Sequence, residues 1–176
     1  VELAPTGGFE QISIARLVMG ENNLSATIDR ADGGTYRGAV HGEKFDMRPF
    51  MGRLFKPLGQ GDLRVDLTAT FDRGLVDDEQ AINKVQGAVE IDAGRIRSAD
   101  LAGALATGAS LTVKLSDAGG EQAIVITSDD AGELLSTFGL FNGAADGTFV
   151  LAARVDHDLP GQPVTGLATV DEFRLV

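Results

Sequence analysis

Residues 63–72 alternate without a break, with Leu63, Val65, Leu67, Ala69 and Phe71 set against Arg64, Asp66, Thr68, Thr70 and Asp72. Successive side chains of an extended chain leave opposite faces, so this is a strand with one apolar and one polar side. Such a pattern fixes register, because a slip of one residue would turn every apolar group into water. The alternation recurs in Val85, Gly87, Val89 and Ile91, and again in Leu111, Val113 and Leu115. Asp29 to Gly34 and Asp117 to Gly120 read as hairpin turns, with glycine supplying positive φ.

Two short stretches break the period-two pattern. In "FDMRPFMGRLF" (45–55), Met47, Phe50, Met51, Leu54 and Phe55 fall at helical spacing and predict one apolar stripe on a short helix. In "VITSDDAGELLSTF" (125–138), Ala131, Leu134, Leu135 and Phe138 form a second stripe, with Asp130 as N-cap and Glu133 closing a capping box. Each of these four lies 84 residues after its counterpart Met47, Phe50, Met51 or Leu54, and Asp46 precedes Asp130 by the same offset.

The offset extends beyond the helices. "GDLRVDLTATFD" (61–72) aligns with "ADGTFVLAARVD" (145–156), pairing Asp62 with Asp146, Leu67 with Leu151, Ala69 with Ala153 and Asp72 with Asp156. Upstream, Ile12, Ala15 and Leu17 align with Ile96, Ala99 and Leu101. Elements recurring in one order predict an internal duplication, 9–92 and 93–176. Each unit reads strand, strand, turn, strand, helix, strand, strand. The expectation is therefore a mainly β chain of about ten strands in an antiparallel sheet or meander. A two-layer sandwich plugged by the helices is the plainer alternative. Against it, aromatic residues are 6% of the chain, with no Trp and one Tyr, where a sandwich of this size keeps a larger aromatic centre.

The chemistry is sparse. A net charge of −11 without a basic stripe argues against nucleic acid and against an electrostatic hold on anionic lipid. With no cysteine, neither disulfides nor thiolate metal sites arise. His41 and His157 sit in unrelated contexts, and Asp156-His157-Asp158 before Pro160 reads as a solvated loop, not a metal site. No glycine-rich segment joins a strand to a helix as a phosphate cradle requires, and no serine stands in a nucleophile elbow. Paired acids such as Asp77-Asp78-Glu79 and Asp129-Asp130 would suit glycoside hydrolysis, but the usual Trp and Tyr stacking surface is missing. The residues point to no enzyme, no cofactor and no metal. No apolar run is long enough to span a membrane, no signal peptide opens "VELAPTGGFE", and the chain reads as a fragment whose anchor would lie outside it.

"VHGEKFDMRPFMGRLF" (40–55) and "SDDAGELLSTFGLFNGAADGTFVLAARVD" (128–156), running on to "GLATVDEFRLV" (166–176), resemble the AsmA-like family of Gram-negative envelope proteins. The likeness is nearest to the large YhdP-type members and their C-terminal region. It covers roughly 36–176 and rests on the order and texture of elements, since that family carries no catalytic signature. It implies a strongly curved, taco-like β-groove with residues 1–176 as one fragment of it, stacked on adjacent repeats of a longer chain. It implies a periplasmic location, tethered to the inner membrane through segments not present here, and a role in moving phospholipid toward the outer membrane. On that expectation Leu63, Val65, Leu67, Ala69, Phe71, Val89, Ile91, Val113, Leu115, Phe149 and Leu151 line the groove and meet acyl chains. Met47, Phe50, Met51, Leu54, Leu134, Leu135 and Phe138 form helix lids over it. A closed, dry envelope spacer and a carbohydrate-binding β-domain are the competing expectations.

Overall fold

The computed structural model describes residues 2–3, 9–51, 63–118, 121–156 and 163–176. In chain order the strands are β1 (Glu2–Leu3), β2 (Phe9–Met19), β3 (Asn22–Arg30), β4 (Thr35–Asp46), β5 (Arg64–Leu75), β6 (Ala81–Asp92), β7 (Arg95–Ala104), β8 (Ser110–Ala118), β9 (Glu121–Ser128), β10 (Ala144–Ala145), β11 (Thr148–Asp156), β12 (Val164–Asp171) and β13 (Arg174–Leu175). Helix α1 (Arg48–Met51) follows β4 and α2 (Ala131–Thr137) follows β9.

Eleven of these strands form one open sheet in the order β1-β2-β3-β4-β5-β6-β7-β8-β9-β11-β12, and β10 pairs with β13 separately. The chain is mainly β, and one large sheet forms in place of the two layers of a sandwich. Tight turns set the meander. Ala93 and Gly94 both take left-handed φ between β6 and β7, the backbone that a two-residue hairpin requires.

The sheet departs from the expected antiparallel pattern at one seam. β4 and β5 run parallel, Thr35 beside Arg64 through Asp46 beside Leu75. A hairpin cannot join parallel neighbours, and the stretch between Asp46 and Arg64 exceeds the dozen or so residues a crossover needs. The connection between β9 and β11 also contains a helix, yet those strands pair antiparallel. The order β2, β3, β4, α1, β5, β6 therefore matches β7, β8, β9, α2, β11, β12, but the last two strands of each set run in opposite senses relative to the first three.

The helices are shorter than their stripes. Among the described residues α1 is a single turn, with Met47 just before it and Met51 at its end. The side chain of Phe50, and Leu54 and Phe55 altogether, lie outside the described residues, as do Asp62, His157 and the Gly119-Gly120 turn. Asp130 caps α2 as expected, accepting from the Glu133 N–H at 2.9 Å. The reciprocal half of the capping box does not form. The Glu133 carboxylate accepts instead from Thr107, through its N–H at 2.8 Å and its hydroxyl. The Asp130 N–H donates to Ser128 Oγ at 3.2 Å.

At the other end of α2 the Gly139 N–H reaches Ser136 O and the Leu140 N–H reaches Leu135 O, with Gly139 at φ 64°. That is a Schellman stop. It corrects the expectation for Phe138, which becomes the C-cap and stands exposed, not under the lid.

Candidate functional site

Cross-strand partners share a face of the sheet, so the pairing shows which residues lie side by side. One rung reads Gly38, Leu67, Val89, Ala99, Leu115, Ile124, Ala153, Gly166. The next reads Val40, Ala69, Gly87, Leu101, Val113, Ile126, Leu151, Ala168. No charged or polar side chain interrupts either rung from β4 to β12. Val65 and Ile91 pair on the same face at one end of β5, and Phe71 and Val85 at the other. Phe149 joins through Ser128 and Leu111. The structure thus gathers Val65, Leu67, Ala69, Phe71, Val89, Ile91, Val113, Leu115, Phe149 and Leu151 on one apolar face. Leu63 precedes β5 and is exposed. Thr68 and Thr70 on β5 are exposed, as their alternation requires.

The two ends of this face differ. At the Phe71 end the helices close it: Phe71, Val76, Ile82, Val85, Leu105, Leu111, Ala131, Leu134 and Phe149 form one buried cluster. Met47, Met51 and Leu135 pack on that cluster while only partly buried, and Phe45 stacks on Phe71 with ring centroids 4.8 Å apart. Beyond the cluster Leu67, Val89, Leu101 and Val113 are only partly buried. Ala99, Leu115, Ile124, Ala153 and Val155 are nevertheless buried without belonging to it.

At the Val65 end the face turns polar. Register is broken opposite Ile91, where Arg97 bulges out of β7. Arg97 Nη1 donates to Asp117 Oδ2 at 2.6 Å, and the Asp117 carboxylate holds the guanidinium further above its ordinary pKa. Asp117 pairs across β8 and β9 with Gln122, whose Nε2 donates to the Ile96 carbonyl at 2.7 Å. Gln122 in turn pairs with Val155. Sequence reading passed over this group. Its signal was present, since position 117 continues the apolar series 111, 113, 115, and 122 that of 124 and 126, each with a polar residue.

Around the same end of the sheet Arg37, Arg64, Asp66, Glu90, Ile91, Asp92 and Arg97 line an open cleft of about 460 Å³. Arg37 pairs with Asp66 and Arg64 with Asp92, while Arg97 links Asp92 to the buried Asp117, so the cleft is lined by opposite charges. Among the described residues no three His, Asp or Glu side chains are placed to hold a metal ion, and no helix is long and apolar enough to cross a membrane.

Comparison of the chain with protein-family models, with curated proteins and with solved structures finds no match.

Proposed function

We propose that this chain is a periplasmic segment of an AsmA-like envelope protein that binds and conducts phospholipid along the apolar face of its sheet. The observation that carries the reading is the pair of uninterrupted apolar rungs from β4 to β12, helix-capped at one end, of which the rung from Val40 to Leu151 is only partly buried. Each methylene kept from water is worth about 0.8 kcal/mol, so an acyl chain crossing an aqueous space needs a track of this kind and no precise site. Eight strands at about 4.8 Å give a track on the order of 38 Å, longer than a lipid tail.

In this reading the sheet curls into a trough with the apolar face inside. Two features support the curl. Leu115 and Val155 are buried outside the cluster that the helices close, as side chains converging on a concave face would be. Inner-face glycines also stand where neighbouring strands crowd inward: a Cβ at Gly38 would come within 2.8 Å of Ile28 Cγ1. Glycine in a strand interior marks such close approaches. The common order of elements in 9–92 and 93–176 supports a duplication whose units diverged in the direction of their last two strands. Adjacent repeats, and an anchor in the inner membrane, would lie outside these residues.

The test is photocrosslinking in Gram-negative cells, with the photoactivatable residue at position 67 or 151 and, for comparison, at 68. Lipid should label from 67 and 151 and not from 68. Equal labelling at all three, or none, would favour a dry structural spacer.

A further inference from the structure

The polar end of the track contains two buried acceptors with no donor among the described residues. Among the described residues Asp117 Oδ1 and Gln122 Oε1 find no hydrogen-bond partner, although the Asp117 side chain is 5% exposed and Gln122 is 3% exposed. Their residues are register partners on adjacent strands, so the two oxygens belong to one locus. Buried acceptors are nearly always satisfied, and an orphan costs about 1–3 kcal/mol. Here there are two, and one belongs to a carboxylate.

Each residue spends its other polar atom on the fold, Asp117 Oδ2 on Arg97 and Gln122 Nε2 on the Ile96 carbonyl. What the locus lacks is N–H or O–H donors. Arg97, half exposed, runs from solvent to this pair. A guanidinium also suits a phosphate.

Resting on the lipid reading above, we propose that Arg97, Asp117 and Gln122 form a headgroup site for a phospholipid bearing a primary ammonium. The ammonium donates to Asp117 Oδ1 and Gln122 Oε1, Arg97 faces the phosphodiester, and the acyl chains run on toward the half-buried Ile91 and Val89. A primary ammonium carries three N–H donors, as in the ethanolamine headgroup. A choline headgroup has the same charge and no N–H, so it leaves both oxygens orphaned.

The 176-residue chain is equilibrated with vesicles of equal phosphatidylethanolamine and phosphatidylcholine, re-isolated, and its bound lipid quantified by mass spectrometry. Ethanolamine lipid should exceed choline lipid on the order of tenfold, the factor that one charge-assisted hydrogen bond supplies. Asp117→Asn removes the carboxylate and offers its own N–H to Gln122, so lipid should still bind with a ratio near one. Gln122→Leu keeps the carboxylate and removes one acceptor, so it should lower the ratio without abolishing it, and if it does not fold, Asp117→Asn decides alone. Glycerophosphoethanolamine, the headgroup without tails, should not displace the lipid; displacement would make this a site for the free headgroup and overturn its place on the track. Equal binding of the two lipids by the unaltered chain, or a ratio kept in Asp117→Asn, overturns the headgroup site and leaves a buried water as the donor. Binding of neither lipid overturns the conduit reading itself, and the two failures are told apart by whether lipid is bound at all.

Discussion

Replacing Gly87 with alanine sets two effects of opposite sign against each other. In an ordinary strand alanine gains about 0.5–1 kcal/mol over glycine, because glycine loses more backbone freedom on folding. Gly87 sits on the apolar face between Ala69 and Leu101. A Cβ there would stand 2.8 Å from Leu101 Cα and closer still to the Asp100 carbonyl oxygen. Both are backbone atoms, so β7 itself would have to move. Overpacking of this kind costs about 1–3 kcal/mol. The crowding therefore wins, with a net loss of about 1–2 kcal/mol. For a chain of this size each kcal/mol lowers Tm by about 2–4 °C, so Gly87→Ala should melt about 2–8 °C below the unaltered chain. Thermal and urea unfolding followed by circular dichroism would measure it. Ala88→Val, exposed on the other face, serves as the control and should stay within about 0.5 kcal/mol. An unchanged or raised Tm in Gly87→Ala would refute the close approach of β6 and β7, and with it one support for the curl.

Leu134 of α2 is 3% exposed inside the helix-capped cluster, so Leu134→Ala should cost about 2–5 kcal/mol in urea unfolding. Leu140→Ala, at 71% exposure just past the Schellman stop, should cost less than about 0.5 kcal/mol; equal effects would mean that α2 is not part of the core. Arg48 Nε and Nη2 donate to the Asp46 carboxylate at 2.8 and 2.9 Å, and the Arg48 N–H adds a third bond at 3.1 Å, so the carboxyl titrates below its ordinary value. A depressed folded pKa contributes stability above the unfolded value of about 3.9 and loses it as pH falls through the folded one. Asp46→Asn should therefore melt below the unaltered chain at pH 7, with the gap closing in acid; a gap that stays constant down to about pH 2 would refute the ion-pair account.

What could be read from the sequence was what neighbouring residues decide among themselves. Period two placed Leu67, Val89, Leu115 and Leu151 on one face, because pleat alternation is local and indifferent to what pairs with what. The Asp130 cap was legible for the same reason, being a contact three residues long. Its partner role for Glu133 was not, since Thr107 competes from a distant turn. Phe138 was misplaced because the stripe was carried up to the residue before Gly139, whose left-handed backbone ends the helix. The direction of β5 beside β4 depends on the path of a long connection, and nothing in either strand's alternation records it. Arg97, Asp117 and Gln122 converge only through a bulge in β7, so their shared locus emerges from register and not from any motif.

The parallel seam between β4 and β5 also bears on the order of assembly. The hairpins of the meander can close from their turns outward, each rung shortening the search for the next. β4 beside β5 has no such start, because Thr35 meets Arg64 and Asp46 meets Leu75 across a constant sequence separation. Closing a loop of that length instead of a hairpin costs about 2 kcal/mol more in chain entropy before any rung rewards it. Contacts of this separation slow folding, and at this seam every rung carries it. The strands before the seam and the strands after it are thus separable units of assembly, joined where nucleation is least favourable.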